Sequence, residues 1–366
     1  MSDFSDFDRR AMERALELAA LGCNTTQPNP RVGCVVARDE RIIGEGWHQR
    51  AGEPHAEVFA LRVAGAAARG ATAYVTLEPC NHHGRTPPCS EALIAAGIAR
   101  VVYSNGDPNP RVDGSGAARL RAAGVRVETG LLGERGAELN LGFFARMRRG
   151  RPWLRLKLAA SLDGRTALAN GESRWISSDS ARADVHRFRA ASAALLSTSA
   201  TVIADDPRLD VRGIDVTPPR HPTRIVLDSH LRIRADAQLF ATPGDVVLLA
   251  VESAVRATSH GERVHVQRLP ADATGRVSLR AALEWMGAAG HNEIWTEAGA
   301  TLAGALLAEQ WADEVVLYLA PKFLGPDARP LAQLPALARL ADAQAYRVHD
   351  LRQIGPDVRI MLRSGG

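Results

Sequence analysis

The chain has 366 residues, enough for two domains with separate cores, and its 46% hydrophobic and 23% charged content is typical of globular proteins. A net charge of +4 and an aromatic fraction of 5% do not indicate a general nucleic-acid-binding surface. Four cysteines are too few for a disulfide scaffold, no apolar run approaches the roughly 18 residues of a membrane helix, and the acidic N-terminus is unlike a signal peptide. We therefore expect a cytoplasmic protein with no membrane or nucleic-acid partner.

The first half of the chain alternates between helical and strand periodicity. Residues 5–21 space their apolar side chains as a helix does, and Ser5 or Asp6 can cap it. Further helices are predicted at 55–68, 89–97, 114–124 and 133–149, and strands at 32–37, 41–48, 72–78, 99–105 and 125–130. This alternation favours an open α/β sheet with crossover helices.

A basic run at 146–149, followed by Gly150 and Pro152, is the best candidate for a domain boundary. We therefore predict two domains, residues 1–148 and 149–366. The second domain repeats the alternation. Its predicted strands are 152–161, 193–199, 223–229, 245–251, 263–269, 292–299, 313–321, 345–355 and 357–364, and its predicted helices are 177–190, 278–290 and 299–310.

Four residues of the first domain have the pattern of a catalytic zinc site. His55, Cys80 and Cys89 offer one imidazole and two thiolates, and both cysteines stand at or just before a predicted helix start, where the thiolate form is favoured. Three protein ligands leave one zinc position open for water. Glu57 is free to carry protons, as in zinc deaminases that act on nucleobases. We therefore predict hydrolytic removal of an amine from a ring carbon.

The segment between the two cysteines is longer than in nucleic-acid deaminases. Eight residues separate Cys80 from Cys89, whereas two residues separate the cysteines of the nucleic-acid enzymes. His82 and His83 lie in this segment, where they could supply a fourth ligand or line a substrate cleft.

Several stretches in both halves are specific enough to indicate a family. They are TTQPNPRVG (25–33), AGEPHAE (51–57), TLEPCNHHGRTPPC (76–89), KLAASLDGRTALANGESRWISS (157–178), TVIADDPRLDVR (201–212), RIVLDS (224–229) and EAGATLAGALL (297–307). With these stretches the chain resembles the bifunctional riboflavin-biosynthesis deaminase–reductases over nearly its whole length. The long segment between the cysteines, with its Gly-Arg-Thr-Pro-Pro sequence, is a feature of that family.

The resemblance implies a cytidine-deaminase-like three-layer α/β/α domain followed by a dihydrofolate-reductase-like α/β domain. It implies zinc-dependent hydrolysis of the 2-amino group of 2,5-diamino-6-ribosylamino-4(3H)-pyrimidinone 5′-phosphate. NADPH would then reduce the ribosyl side chain of 5-amino-6-(5-phosphoribosylamino)uracil to ribityl. The implied partners are this phosphorylated pyrimidine and further copies of the chain, because the family is commonly oligomeric, and residues 351–360 could pair strands between subunits.

The resemblance also implies residue roles. The first domain would use His55, Cys80 and Cys89 as zinc ligands, Glu57 as proton carrier, Asn29 near the pyrimidine and Arg85 near the ribose phosphate. The NADPH positions would be Ala159, Trp175, Thr201, Asp205, Ser229, Gly299, Ala300, Thr301, Leu302, Ala303, Gly304 and Ala305. The reductase substrate positions would be Ser173, Arg189, Leu209, Arg212 and Glu297. Glu297 and Asp205 are both candidates for the general acid of the reduction.

The residues alone support only part of this cofactor assignment. The chain has no Gly-x-Gly-x-x-Gly fingerprint, so a Rossmann dinucleotide site is not indicated. Residues 292–310 do predict a strand, a glycine turn and a helix, whose first N–H groups could bind a phosphate. Lys157, in a predicted strand, could face a cleft or lie at a sheet edge with its ammonium in solvent.

Two alternative functions remain open at this stage. A nucleic-acid deaminase of the tRNA type, with a non-catalytic accessory domain, would need a basic, aromatic-rich face and the shorter cysteine separation. In the other alternative, the second domain only binds or dimerises. If the protein does not oxidise NADPH in the presence of the deaminated intermediate, a non-catalytic second domain is favoured.

Overall fold

The computed structural model describes residues 4–81, 87–110, 112–216, 220–255 and 261–365. The chain divides into two compact units, Met1–Gly150 and Arg151–Gly366. This division lies two residues after the boundary predicted from the sequence. Within the described ranges, no helix is long and apolar enough to cross a membrane.

The first unit begins with a helix whose start is determined by local hydrogen bonds. Ser5 accepts a hydrogen bond from the backbone N–H of Asp8, and the Asp8 carboxylate accepts one from the N–H of Ser5. The elements of this unit are α1 (Asp6–Ala20), β1 (Gly33–Arg38), β2 (Arg41–Trp47), α2 (Ala56–Ala64), β3 (Thr72–Leu77), α3 (Cys89–Ala95), β4 (Arg100–Asn105), α4 (Ser115–Ala122), β5 (Arg126–Thr129), α5 (Gly133–Leu139) and α6 (Leu141–Arg149). A short 3₁₀ turn, Gly65–Ala68, follows α2.

The five strands of the first unit form one sheet in the order β2-β1-β3-β4-β5. Strand β1 runs antiparallel to β2 and β3, while β3, β4 and β5 are parallel. Cys34 and Val36 point into a core that includes residues of α2 and α4, whereas Val35 points into a second core with α1. Because helices cover both faces, the unit has the three-layer α/β/α architecture that the resemblance implied, and that expectation is confirmed.

The predicted single helix over residues 133–149 is wrong. The chain leaves helical geometry at Asn140, which has φ −121° and separates α5 from α6. The Asn140 side chain accepts a hydrogen bond from the N–H of Arg31 at 2.8 Å and donates one to its carbonyl oxygen at 2.9 Å. This pairing with a distant backbone segment accompanies the break and could not be read from helical periodicity.

The second unit is built on a nine-stranded sheet. Its elements are β6 (Trp153–Ser161), β7 (Arg165–Ala167), α7 (Asp179–Ala191), β8 (Ala194–Thr198), α8 (Ser199–Asp205), β9 (Thr223–Leu227), α9 (Gln238–Ala241), β10 (Val246–Val251), β11 (Val264–Leu269), α10 (Leu279–Ala288), β12 (Glu293–Glu297), α11 (Ala300–Ala308), β13 (Glu314–Ala320), β14 (Arg329–Pro330), β15 (Tyr346–Ile354) and β16 (Asp357–Ser364). The sheet order is β11-β10-β9-β8-β12-β6-β13-β16-β15. The first seven strands in this order are parallel, and β16 and β15 are antiparallel additions at one edge.

Alternate residues of the central strands pack against different helices. Leu154, Leu156 and Leu158 of β6 point into the larger core, which includes α10 and α11. Trp295 of β12 and Tyr318 of β13 point to the opposite face, toward α7. The chain order reverses where β12 lies between β8 and β6. In open α/β sheets, ligands bind at the carboxyl ends of strands at such a reversal, so this edge is where a cofactor site is expected.

Candidate functional site

The predicted metal ligands of the first unit lie together. His55 is the N-cap of α2, Cys80 follows β3, and Cys89 is the first residue of α3. The Nδ1 atom of His55 is 3.2 Å from Sγ of Cys89 and 3.5 Å from Sγ of Cys80. All three ligand atoms lie within 4.8 Å of one another. Tetrahedral zinc, with bonds of about 2.3 Å to sulfur and about 2.0 Å to nitrogen, requires N···S separations of about 3.5 Å, so the donor set fits this metal.

Helix α2 can place His55 here because two residues of β2 have no side chain. A Cβ atom at Gly46 would lie 2.5 Å from the carbonyl oxygen of Ala56, and one at Gly44 would lie 2.2 Å from that of Ala60. The two glycines therefore allow the helix backbone to lie directly on the strand.

The two sulfur atoms share their hydrogen-bonding environment. The pKa of the Cys80 thiol lies well below its usual range, because it accepts hydrogen bonds from the side chain of Cys89 and lies beside His55. The N–H of Cys89 also donates to Sγ of Cys80 at 3.4 Å. This low pKa favours the thiolate form of Cys80, which is the form that binds metal, whereas hydrogen bonding to Cys80 and burial raise the pKa of Cys89.

Glu57 lies in the first turn of α2 and is only 3% exposed. Burial raises the pKa of its carboxyl group, and the neighbouring His55 opposes this effect. Among the described residues, its Oε2 atom has no hydrogen-bond partner. A buried carboxylate oxygen without a partner is costly unless a ligand supplies one, so its placement beside the metal ligands fits a group that contacts water or substrate.

This site also includes a histidine that was not predicted from the sequence. His48 follows β2 and is 2% exposed; its Nδ1 lies 3.1 Å from the carbonyl oxygen of Pro54 and its Nε2 lies 3.0 Å from Nδ2 of Asn29. Nδ1 must carry a proton to donate to the carbonyl, so neutral His48 accepts from the Asn29 amide. Burial lowers the pKa of His48, which favours this neutral form. The predicted positions Arg85, His82 and His83 lie outside the described residues.

In the second unit, most of the predicted NADPH positions follow the carboxyl ends of four neighbouring strands. Ala159 is near the end of β6, Ser229 follows β9, and Thr201 and Asp205 lie in α8 after β8. Gly299 follows β12 and is the N-cap of α11, which contains the predicted positions Ala300, Thr301, Leu302, Ala303, Gly304 and Ala305.

The start of α11 is suited to binding an anion. No side chain caps this helix, and a Cβ atom placed on Gly299 would have no neighbour within 4 Å. The first N–H groups of the helix therefore lack a side-chain acceptor and have open space beside them, as cofactor phosphate binding requires.

Trp175 and Ser173 belong to the segment that precedes α7. Trp175 is 61% exposed, and the guanidinium of Arg182 lies 4.3 Å from the centre of its ring. Arg174 donates to the carbonyl oxygen of Asp205 at 3.1 Å, which joins this segment to the end of α8. Within the described parts of the chain, no hydrogen bond joins the Ser173 side chain to the other predicted substrate positions.

The other predicted substrate positions form a connected group. Glu297, at the end of β12, accepts hydrogen bonds from Nε and Nη2 of Arg189 at 2.5 and 2.9 Å. Arg189 also donates to the carbonyl oxygen of Asp210 at 2.8 Å, next to Leu209, which has a positive φ of 48°. The N–H of Arg212 donates to Nδ1 of His186 on α7 at 3.2 Å. The turn at 209–212 is thus attached to the same helix that carries Arg189.

Lys157 lies beside this group on the central strand β6, where it pairs in register with Glu297. Burial and nearby Arg189 lower the pKa of Lys157, while Glu297 opposes this shift. Burial alone would raise the pKa of Glu297, but Arg189, Lys157 and a hydrogen bond from Trp295 lower it to about 2. Lys157 is therefore not an edge lysine, and it shares a charged cluster with two predicted substrate positions.

Comparisons with known proteins agree with both units. The model of the cytidine and deoxycytidylate deaminase zinc-binding region matches residues 5–105, and that of the RibD C-terminal domain matches residues 152–360. The riboflavin biosynthesis protein RibD of Escherichia coli is 51% identical over 365 residues, covering 97% of this chain and 99% of that protein. The corresponding protein of Haemophilus influenzae is 46% identical over 383 residues, covering 98% of each.

Solved structures show the same similarity in three dimensions. Acinetobacter baumannii RibD superposes with a TM-score of 0.90 at 41% identity, covering 98% of this chain and 99% of that one. A deaminase/reductase from Thermotoga maritima superposes with a TM-score of 0.87 at 31% identity, covering 98% and 99%. The chain belongs to the RibD family of bifunctional riboflavin biosynthesis enzymes, with a zinc-binding deaminase domain followed by a reductase domain.

Proposed function

We propose that residues 1–148 deaminate 2,5-diamino-6-ribosylamino-4(3H)-pyrimidinone 5′-phosphate and that residues 149–366 then reduce the deaminated product with NADPH. The observation that carries the first step is the contact group of His55, Cys80 and Cys89 beside the buried, unpartnered oxygen of Glu57. The observation that carries the second is the clustering of Arg189, Glu297 and their neighbours at the carboxyl edge of the sheet.

In the deaminase unit, His55 Nδ1 and the two cysteine sulfurs would hold zinc. Bound there, zinc would supply Lewis acidity that lowers the pKa of water toward neutrality. Glu57 takes one proton from water and passes it to the ring nitrogen; it then takes the proton of the hydroxyl group added to the ring carbon and passes it to the amine, which leaves as ammonia. This role suits a carboxyl whose pKa is raised by burial. Asn29, oriented by His48, binds the polar edge of the pyrimidine.

In the reductase unit, the first turn of α11 and the carboxyl ends of β6, β8 and β9 would hold NADPH, which supplies the reducing equivalent when bound. Arg189 and Arg212 bind the substrate, and Arg189 keeps the Glu297 carboxylate oriented as a hydrogen-bond acceptor. Lys157, beside Glu297, places a third cationic group next to the bound pyrimidine nucleotide. This arrangement fixes the open-chain ribosyl group while its C1′ is reduced.

The rival functions account for less of the chain. A nucleic-acid deaminase with a non-catalytic accessory domain is not favoured, because the family match extends through residues 152–360 and covers a reductase domain. The same match weighs against a second domain that only binds or dimerises.

Two assays with purified protein test the proposal. Ammonia release from the diamino substrate without NADPH measures the first step, and NADPH oxidation with the deaminated substrate measures the second. Glu57→Ala should keep zinc and lose at least about 100-fold of the ammonia-release rate, while NADPH oxidation is unchanged. A Glu57→Ala protein that releases ammonia at the wild-type rate would refute the assigned role.

We infer that the chain forms a homo-oligomer through β15. This strand is at the edge of the sheet, and its Val348 and Leu351 are 63% and 61% exposed. An edge strand presents unpaired backbone groups as well as its side chains, and a second copy of β15 could pair with both. Light scattering should show an oligomer that Val348→Lys/Leu351→Lys dissociates, whereas Leu340→Lys, outside the strand, should have no effect; a monomeric wild type would contradict the inference.

We further infer that the enzyme acts in the cytoplasm, because a phosphorylated nucleotide and NADPH do not pass freely through membranes. Cell fractionation that recovers the activity in another compartment would contradict this location.

A further inference from the structure

Glu78 connects the turn that carries Cys80 to a helix on the other side of that turn. It follows β3 and is 5% exposed. Its Oε1 accepts a hydrogen bond from the N–H of Ala117 at 3.1 Å, and its Oε2 accepts from the N–H groups of Gly114 at 3.1 Å and Asp107 at 3.5 Å. One buried carboxylate thus binds three backbone donors of the segment 107–117.

Two of these three N–H donors belong to the N-terminus of α4. Gly114 is the N-cap of this helix, and Ala117 lies in its first turn. A negative charge at this end of a helix is favoured by the helix dipole, and the carboxylate also supplies acceptors that the first turn lacks. Ala117 and Leu120 are buried in the core of the unit, so α4 provides a fixed point against which the turn is held.

The peptide between Glu78 and Cys80 touches the same helix. A Cβ atom at Gly116 would lie 1.8 Å from the carbonyl oxygen of Pro79. This approach is possible only because residue 116 is glycine. Glu78 therefore holds the turn through its carboxylate, and Pro79 holds it through close packing.

We propose that Glu78 is a positioning residue that keeps the sulfur of Cys80 at the distance from His55 and Cys89 that zinc requires. The proposal rests on the zinc ligands assigned above. Groups that orient metal ligands commonly change metal affinity about 10- to 100-fold when they are removed. Glu78 acts through the backbone of the turn that carries Cys80, since its own oxygen atoms accept hydrogen bonds from the segment 107–117.

Glu78→Gln in the full-length protein tests this role. An amide has only one oxygen, so its NH₂ group must face at least one of the N–H donors, and the turn should shift. We expect chelator competition to show zinc affinity reduced about tenfold or more. The spectrum of the cobalt-substituted protein should change, because it reports the geometry around the metal. Glu128→Gln, which removes a carboxylate paired with Arg100 and Arg126 in the same unit, should change neither measurement.

Gly116→Ala provides a second test, because the new methyl group displaces the same turn without removing a charge. It can be used even if Glu78→Gln does not fold. Its matched control is Gly133→Ala at the start of α5, where the nearest atoms to a new Cβ are 3.6 Å away. Gly116→Ala should weaken zinc binding, and Gly133→Ala should not.

The outcomes separate this proposal from the zinc assignment. Glu78 has no positioning role if the wild type binds zinc and Glu78→Gln keeps the wild-type zinc affinity and an unchanged cobalt spectrum. If Glu78→Gln does not fold, the same result for Gly116→Ala leads to the same conclusion. If Cys80→Ser and Cys89→Ser both bind zinc as tightly as the wild type, the ligand assignment itself is wrong.

Discussion

Arg189 donates two hydrogen bonds to the Glu297 carboxylate, from Nε at 2.5 Å and from Nη2 at 2.9 Å, although the two residues are 108 positions apart in the sequence. This bidentate pair joins α7 to the end of β12, and Trp295 adds a third donor to the same carboxylate at 2.8 Å. The Trp295 ring is fully buried and stacks on Phe188 with 4.7 Å between ring centres. The position of the Glu297 carboxylate, which we propose to be part of the reductase site, is therefore fixed by both hydrogen bonds and packing.

Arg189→Lys should reduce kcat/KM for NADPH oxidation about 10- to 100-fold, because lysine keeps the charge but cannot form the bidentate pair. Ammonia release by the other domain serves as an internal measure of intact protein. Arg187→Lys is a matched control on the same helix, since that side chain is 75% exposed. Equal kinetics for the wild type and Arg189→Lys would show that the pair does not contribute to reduction.

Removal of zinc should abolish ammonia release and lower the thermal stability of the deaminase domain, because metal binding is coupled to folding of the site. NADPH oxidation with the deaminated substrate should remain. Cys89→Ser should lose zinc, whereas Cys23→Ser, outside the ligand group, should retain it; metal analysis and calorimetry measure both effects. Full ammonia release by metal-free protein would be incompatible with the proposed chemistry.

Asp8 should make the stability of the deaminase domain depend on pH. Burial opposes ionisation, but Arg100 and Tyr74 lower the pKa of Asp8 to about 2. Because this pKa lies below the unfolded value of 3.8, the carboxylate stabilises the fold above about pH 4, and that contribution is lost as the pH falls toward 2.

Asp8→Asn should consequently lower the Tm at pH 7, and its difference from the wild type should shrink at pH 3. Both proteins are compared without metal, so that zinc release in acid does not contribute. Asp6→Asn, which removes an exposed carboxylate of the same helix, should change the Tm little at either pH. A difference between Asp8→Asn and the wild type that does not vary with pH would contradict the prediction.

His48→Phe should raise the KM of deamination about tenfold or more, since the Asn29 amide loses its acceptor while an aromatic ring of similar size remains. Zinc content should not change, because His48 is not a ligand. An unchanged KM would mean that Asn29 does not need this partner to bind the substrate.

More of the metal site than of the reductase site could be predicted from the sequence. Ligand types and helix starts are local signals, and they were sufficient to select His55, Cys80 and Cys89, which the fold brings within 4.8 Å. The cytidine-deaminase-like and dihydrofolate-reductase-like architectures required the family resemblance, because periodicity gave only alternating strands and helices. The roles assigned to individual cofactor and substrate residues stay predictions.

The residues that sequence reasoning did not find act through distant partners. Asn140, where the predicted helix breaks, pairs with the backbone of Arg31, more than 100 residues away. Glu78 looks like an ordinary residue after a strand until its three donors from the segment 107–117 are seen. For His48, the only sequence signal was a histidine at the end of a predicted strand. Such pairings depend on topology, which periodicity does not specify.

Mass spectrometry of the products formed from the diamino substrate, with and without NADPH, tests the central claim most directly. Without NADPH, the wild type should yield a product about 1 Da heavier, as expected for hydrolytic deamination. With NADPH, that product should gain about 2 Da more by reduction. Glu57→Gln should yield neither product from the diamino substrate, yet still reduce the deaminated one. A 2 Da gain on the diamino substrate itself, with no prior deamination, would contradict the proposed order of the two reactions.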